Sequence, residues 1–182
     1  MALGRMTLGL YNSYDPVKFH EAHRRALARA GPLALAYDAN LATFGFPYPP
    51  ELLQPMDIVK WVAGTTTIGE GGVYLVELTE KGRFSVFPFP NRGFPPQLGA
   101  VVVTTAKPDA RKTLDAAKAA SMLRAGKSVL LVFGLGPHGL EETEVGEMAG
   151  YHLDITGKQY TLETATALGA VPASIAAFLA RS

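Results

Sequence analysis

Apolar residues in this chain fall into short runs bounded by turn signals, and these runs alternate with stretches whose apolar positions recur at helical spacing. Residues 6–11 read as a buried strand, followed by the turn Asn12-Ser13-Tyr14-Asp15-Pro16. Asp15 suits an N-cap and Pro16 a first helical position, so a helix is expected to start there. That helix carries Phe19, Ala22, His23, Ala26 and Ala30 on one side, with Lys18, Glu21, Arg25 and Arg29 facing water. Gly31-Pro32 is expected to end it, and residues 33–37 to form a second strand. Residues 51–63 read as a helix with Leu52, Met56, Val59 and Val62 inward. Residues 73–78 and 84–89 read as a strand pair joined by a turn at Glu80-Lys81-Gly82. They lie in a segment rich in Gly, Pro and aromatic residues, 64–99, whose aromatic content wants burial, so it belongs to the same single domain.

From Ala100 onward the alternation is regular. Strands are expected over 101–103, 128–133 and 151–155, and helices over 109–123, 140–148 and 162–180. Alternating apolar strands and amphipathic helices predict an α/β fold, a mostly parallel sheet with helices on both faces. Ligands of such sheets bind outside the carboxyl ends of the strands, which directs attention to the loops after Val103, Phe133 and Ile155.

Composition narrows the chemistry. The 182 residues are 48% hydrophobic and 18% charged, which suits one folded domain with a full core. Seventeen Lys and Arg oppose sixteen Asp and Glu, so any nucleic-acid contact must come from a local basic patch or a dimer surface. The absence of cysteine removes disulfides and thiolate ligands, and four histidines without HExxH spacing argue against a catalytic metal. No apolar run reaches the ~20 residues of a membrane span, so a soluble, cytoplasmic protein is expected.

The first loop, Thr104-Thr105-Ala106-Lys107-Pro108, offers short hydroxyl side chains and backbone to a ligand, or simply leads into a helix capped by Asp109. The second, Phe133-Gly134-Leu135-Gly136-Pro137-His138-Gly139-Leu140, has three glycines that let backbone approach a ligand closely. It lacks the Gly-Lys-Ser/Thr of a phosphate-binding P-loop. Its Gly-x-Gly-x-x-Gly spacing, with Asp154 about 20 residues on, leaves a dinucleotide site open. In the third loop Thr161 is expected to cap the last helix, whose first turns carry Ala165, Ala167 and Gly169.

Together these loops resemble the SPOUT superfamily of RNA methyltransferases, in an archaeal branch, over roughly residues 100–180. Phe133-Gly134-Leu135-Gly136-Pro137-His138-Gly139-Leu140 is similar to that family's FG-x-G/E-x-x-GL motif, and Thr161-Leu162-Glu163-Thr164-Ala165-Thr166-Ala167 to its SL-x-x-x-x-A helix start. Two departures stand out: Glu163-Thr164 replaces the frequent Asn-Val, and Leu135-Gly136 replaces the acidic residue after FG. The resemblance implies a C-terminal trefoil knot, a homodimer, S-adenosylmethionine as cofactor, and a tRNA or rRNA substrate methylated on ribose or base. It implies cofactor contacts from Thr104, Thr105, Gly134, Leu135, Gly136, Gly139, Leu153, Ile155, Thr161 and Leu162, with adenine near Leu153, Ile155 and Leu162.

Catalytic candidates are Asn12, which resembles the residue opening the family's first motif, Arg24, and Glu163 near the last helix. The arginine expected about six residues after Asn12 is Lys18 here. Substrate contacts are expected from Arg25, Arg92 and His138. Each has a structural alternative: Asn12 a turn, Arg24 and Arg25 a solvated helix face, Glu163 a favourable place beside a helix dipole. Two other functions stay open: a non-catalytic RNA- or protein-binding module on the same fold, and a nucleotide-dependent enzyme using the glycine loop for phosphate.

Overall fold

A computed structural model of the chain describes residues 2–64, 69–136, 140 and 144–181. Six strands, β1 (Met6–Tyr11), β2 (Asn40–Phe44), β3 (Phe84–Phe87), β4 (Ala100–Thr104), β5 (Val129–Gly134) and β6 (Tyr151–Leu153), form one parallel sheet in the order β3-β2-β1-β5-β4-β6. The helices are α1 (Glu21–Ala36), α2 (Pro55–Ala63), α3 (Gly71–Glu80), α4 (Ala116–Arg124), α5 (Glu144–Met148) and α6 (Thr164–Leu179). Among the described residues no helix is long and apolar enough to cross a membrane.

Strand order and handedness decide where the helices go. The connections β1–β2, β2–β3 and β4–β5 step one way across the sheet, whereas β3–β4 and β5–β6 step the other way. Right-handed crossovers then require the two sets to cover opposite faces. The first set carries α1 to α4, and these bury Leu27, Val59, Leu75 and Leu123 against Leu8, Leu41 and Leu131. The second carries the aromatic segment before β4 and the short α5, which bury Phe94, Val145 and Ala149 against Phe44, Val103 and Val132. After β6 the chain turns back to the first face, where α6 lies against α4 and α1. Helices therefore occupy both faces of a parallel sheet, as the alternation predicts.

The first half departs from expectation in three places. The helix runs through Gly31-Pro32 to Ala36, so residues 33–37 are not a strand, and β2 begins at Asn40. Gly31 is small because Leu75 of α3 packs on it: an added Cβ would lie 3.2 Å from the Leu75 side chain. Residues 73–78 form part of helix α3, with Gly72, Leu75 and Leu78 buried three apart, so there is no hairpin and β3 instead pairs in parallel with β2. Helix starts also move inward. The first lies at Glu21, that of 51–63 at Pro55, that of 109–123 at Ala116 with Asp115 accepting from the Lys118 N–H (2.8 Å), and that of 162–180 at Thr164 with Glu163, not Thr161, at the N-cap. β3 and β6 end at Phe87 and Leu153, two residues short of expectation.

Asp15 stays in the turn after β1, accepting from the amides of Val17 (2.8 Å) and Lys18 (3.1 Å). That turn is organised around Asn12, buried to 3% exposure. Its Nδ2 donates to the carbonyls of Asp15 (2.7 Å) and Gly45 (2.9 Å). Its Oδ1 accepts from the Tyr14 and Asp15 amides, both at 3.2 Å, and lies 3.0 Å from His23 Nε2. His23 is fully buried and its Nδ1 accepts the His20 N–H at 2.9 Å, which leaves Nε2 to donate. Burial, and secondarily the neighbouring His20, press its pKa down to about 4. The hydrogen bond from His20 draws the Asp15 carboxyl down to about 2.

Asn12→Ala strips partners from the His23 N–H and two carbonyls, and is expected to cost about 2–4 kcal/mol, read as a lower denaturation midpoint at unchanged slope. His23 also sets a pH dependence. Between pH 6.5 and about 4 the unfolded chain binds a proton that the folded chain excludes, so stability present above 6.5 is lost as pH falls through that window. The loss reaches at most about 3 kcal/mol. In His23→Gln, whose amide can still donate to Asn12, the stability profile over that window should flatten; an unchanged slope would assign it to other groups.

Candidate functional site

Three loops converge at the carboxyl ends of β4, β5 and β6; the first two are fixed by bonds from distant parts of the chain and the third by bonds within itself. After β4, the Thr104 hydroxyl donates to the Val132 carbonyl (2.9 Å) and the Thr105 amide to the Leu153 carbonyl (3.0 Å). After β5, the amides of Leu135 and Gly136 both donate to Ser13 Oγ at 3.0 Å, and the Gly134 carbonyl accepts from the Thr164 hydroxyl at 2.6 Å. A Cβ on Gly136 would lie 2.6 Å from the Ser13 carbonyl oxygen, so only glycine permits this approach. After β6, Asp154 accepts from the Thr156 amide (3.0 Å) and hydroxyl (2.8 Å) and the Gln159 amide (2.8 Å).

A second set of bonds holds β6 itself. His152, 5% exposed, accepts the Asp109 N–H at Nδ1 (3.0 Å) and donates from Nε2 to the Gly146 carbonyl (2.8 Å). Lys112 Nζ donates to the carbonyls of Gly146, Glu147 and Ala149 at 3.0–3.3 Å, a cation set against the end of α5. These bonds tie the strand, α5 and the segment after β4 to one another.

The loops enclose a half-open cleft of about 230 Å³. Phe133, Leu140, Leu153, Ile155, Leu162 and Val171 make its apolar wall; Thr104, Thr105, Thr161 and Thr164 supply hydroxyls; Lys107 and Asp154 are the charged side chains lining it among the described residues. A larger cavity, about 480 Å³, lies between α1 and the start of α6, lined by Arg25, Arg29 and Glu163 together with Ala22 and Ala26. Gly136, Thr161, Leu162 and Thr164 border both.

The ten residues expected at the cofactor divide as follows. Thr104, Thr105, Gly134, Gly136, Leu153, Ile155, Thr161 and Leu162 line the cleft; Leu135 faces the second cavity; Gly139, like His138, lies outside the described residues. Glu163 and Arg25 both line the second cavity. Asn12 has its amide group engaged within the protein and borders neither space. Arg24 lies over Phe19 (5.1 Å) and Trp61 (5.0 Å), and Arg92 is exposed in the segment after β3; neither lines the cleft or the second cavity. Ser13, Tyr160, Thr164 and Val171 were not foreseeable as site residues. Ser13 meets its partners 122 and 123 residues away, and the others depend on where α6 docks.

Among known proteins, an uncharacterized protein of Methanocaldococcus jannaschii is 44% identical over 173 residues, covering 95% of this chain and 94% of its own. The fold is that of the SPOUT methyltransferases. A probable methyltransferase from Bordetella pertussis superposes with a TM-score of 0.63 at 17% identity, over 97% of this chain and 96% of that one. The SpoU methyltransferase AviRb from Streptomyces viridochromogenes, solved in complex with the cofactor AdoMet, gives 0.56 at 14%, over 100% of this chain and 60% of that one. A structure described as giving insight into the 2-OH methylation of C/U34 on tRNA gives 0.55 at 14%, over 97% of each chain. Residues 6–176 match the sequence family described as Protein of unknown function (DUF531), and the chain belongs to that family.

Proposed function

We propose that this protein is an S-adenosylmethionine-dependent RNA methyltransferase whose cofactor occupies the cleft between the three loops. The observation that carries the reading is the convergence of those loops on one apolar-walled space at the strand ends. The donor set suits the cofactor: an uncharged adenine wants an apolar slot edged by backbone groups, and a sulfonium wants carbonyl and hydroxyl oxygens rather than cations. Leu153, Ile155 and Leu162 offer the slot, and the hydroxyls of Thr104, Thr105 and Thr161 with the loop backbone offer the oxygens. Bound there, S-adenosylmethionine supplies a methyl group on a positively charged sulfur.

The protein's part is to hold the acceptor in line with that methyl and to receive its proton. Glu163 stands in the neighbouring cavity, beside Gly136, Thr161, Leu162 and Thr164, which border both spaces, and is the group we assign to the proton. Likeness to a structure described in terms of 2-OH methylation on tRNA supports RNA as the substrate class. The trefoil knot and the homodimer belong to the same proposal; the return of the chain after β6 to the face opposite α5 supports the first. A phosphate-binding role for the glycine loop is disfavoured, because two of its amides are spent on Ser13, and Asp154 lies beyond β6 with both oxygens engaged in its own loop. The non-catalytic alternative draws on one observation, the engagement of Asn12 entirely within the protein.

Isothermal titration with S-adenosylmethionine and S-adenosylhomocysteine should give about one site per chain at micromolar affinity, roughly 8 kcal/mol of binding free energy. Absence of binding to both by folded protein would overturn the proposal. Ser13→Ala leaves the two loop amides without their acceptor and is expected to weaken S-adenosylhomocysteine about tenfold while the fold persists. Unchanged affinity would show that the Ser13 anchor does not shape the cleft.

A further inference from the structure

The second cavity has a chemistry the cleft lacks. Arg25 and Arg29 stand one turn apart on α1, with Ala22 and Ala26 between and beside them on the same face, so small side chains form the floor and two guanidinium groups the rim. Both arginines are exposed. Arg29 makes no ion pair among the described residues, and Arg25 has only a loose contact, 3.7 Å, with the Glu21 carboxylate on its own helix. Such an exposed pair contributes little to stability. Across the cavity lie Leu135 and Gly136 of the glycine loop, and Glu163 at the start of α6.

We propose that this cavity is the substrate-side chamber, and that Arg25 and Arg29 together grip a backbone phosphate of single-stranded RNA. The inference deepens the methyltransferase reading and rests on it for the identity of the polyanion. Two planar forks one helical turn apart match the oxygens of a phosphodiester, and a pair of cations draws an anion where the overall charge of the chain does not. The shared border with the cleft sets the gripped strand beside the space assigned to the cofactor. Glu163, the one acidic side chain lining the chamber among the described residues, repels further phosphate and so leaves the sugar or base of the held nucleotide as the part that faces it.

The test is binding of a fluorescein-labelled 12-nucleotide mixed-sequence oligoribonucleotide by anisotropy, over a salt series, with wild type, Arg25→Gln/Arg29→Gln and Lys18→Gln. The double variant should bind at least about tenfold more weakly. The slope of log affinity against log salt should fall by about 0.7, the share of one phosphate contact on a single strand. Lys18→Gln, outside the chamber, should bind as wild type. An oligodeoxyribonucleotide of the same sequence should lose as much in the double variant if phosphate alone is read, and excess inorganic phosphate should not displace the oligonucleotide if a strand, rather than a free ion, is the ligand. Equal affinity and slope in wild type and double variant, displacement by inorganic phosphate, or no binding by wild type at low salt would each overturn the proposal. Titration of the double variant with S-adenosylhomocysteine keeps the two ideas apart. Intact cofactor binding with lost RNA binding supports the chamber, whereas absent cofactor binding in wild type sinks the methyltransferase reading and leaves the phosphate measurement standing.

Discussion

The handedness of parallel crossovers is the constraint from which the rest of this structure follows. Once the strands are ordered β3-β2-β1-β5-β4-β6, the direction of each step dictates which face its connection must cover. Chain leaving β1 and β4 goes to one face, and chain leaving β5, which lies between them, goes to the other. Loops on neighbouring strands therefore part above the sheet, and a crevice opens where they separate. The cleft is that crevice, and Ser13 spans its β1 side by holding the loop after β5.

Much of this was legible in the linear chain, and the division is instructive. In the second half β4 and β5 are compact runs of Val, Leu and Phe, so periodicity and turn residues agree and these strands fall close to their expected places, while the helix expected from 109 begins only at Ala116. The first half fails where tertiary packing overrides local signals. Gly31-Pro32 looks like a helix stop, yet burial of Ala30 and Ala34 on one side and the close approach of Leu75 carry the helix past the missing amide. Residues 73–78, rich in Val, Leu and Tyr, look like a strand, but the three-residue spacing of Gly72, Leu75 and Leu78 lets that stretch lie against α2 with its Val73 and Tyr74 side chains outward.

The site shows the same pattern. Residues of the strand-end loops were identifiable because a loop after a buried strand is a recognisable place, and the resemblance named which such loops to read. Side chains whose role depends on partners far along the chain were not. Asn12 was a catalytic candidate with a turn as its structural alternative, and five hydrogen-bonding contacts within the protein make it the centre of a turn that ties β1 to the end of β2. Arg24 and Arg25, adjacent in sequence, point to different surroundings because a helix turns each residue through about 100°. One rests on Phe19 and Trp61 and the other borders a cavity.

The docking of α6 has a consequence for how the protein comes to be. Thr164, Ala167 and Val171 form the last wall of the cleft, yet the sheet is complete at Leu153, before the third loop and α6. During synthesis a nascent chain thus passes through a stage with a sheet but no enclosed pocket. A ligand of the cleft can recognise only chains whose final helix has come home. Occupancy of the pocket would then act as a thermodynamic inspection of the finished fold, adding stability in proportion to the logarithm of ligand concentration and withholding it from every truncated product.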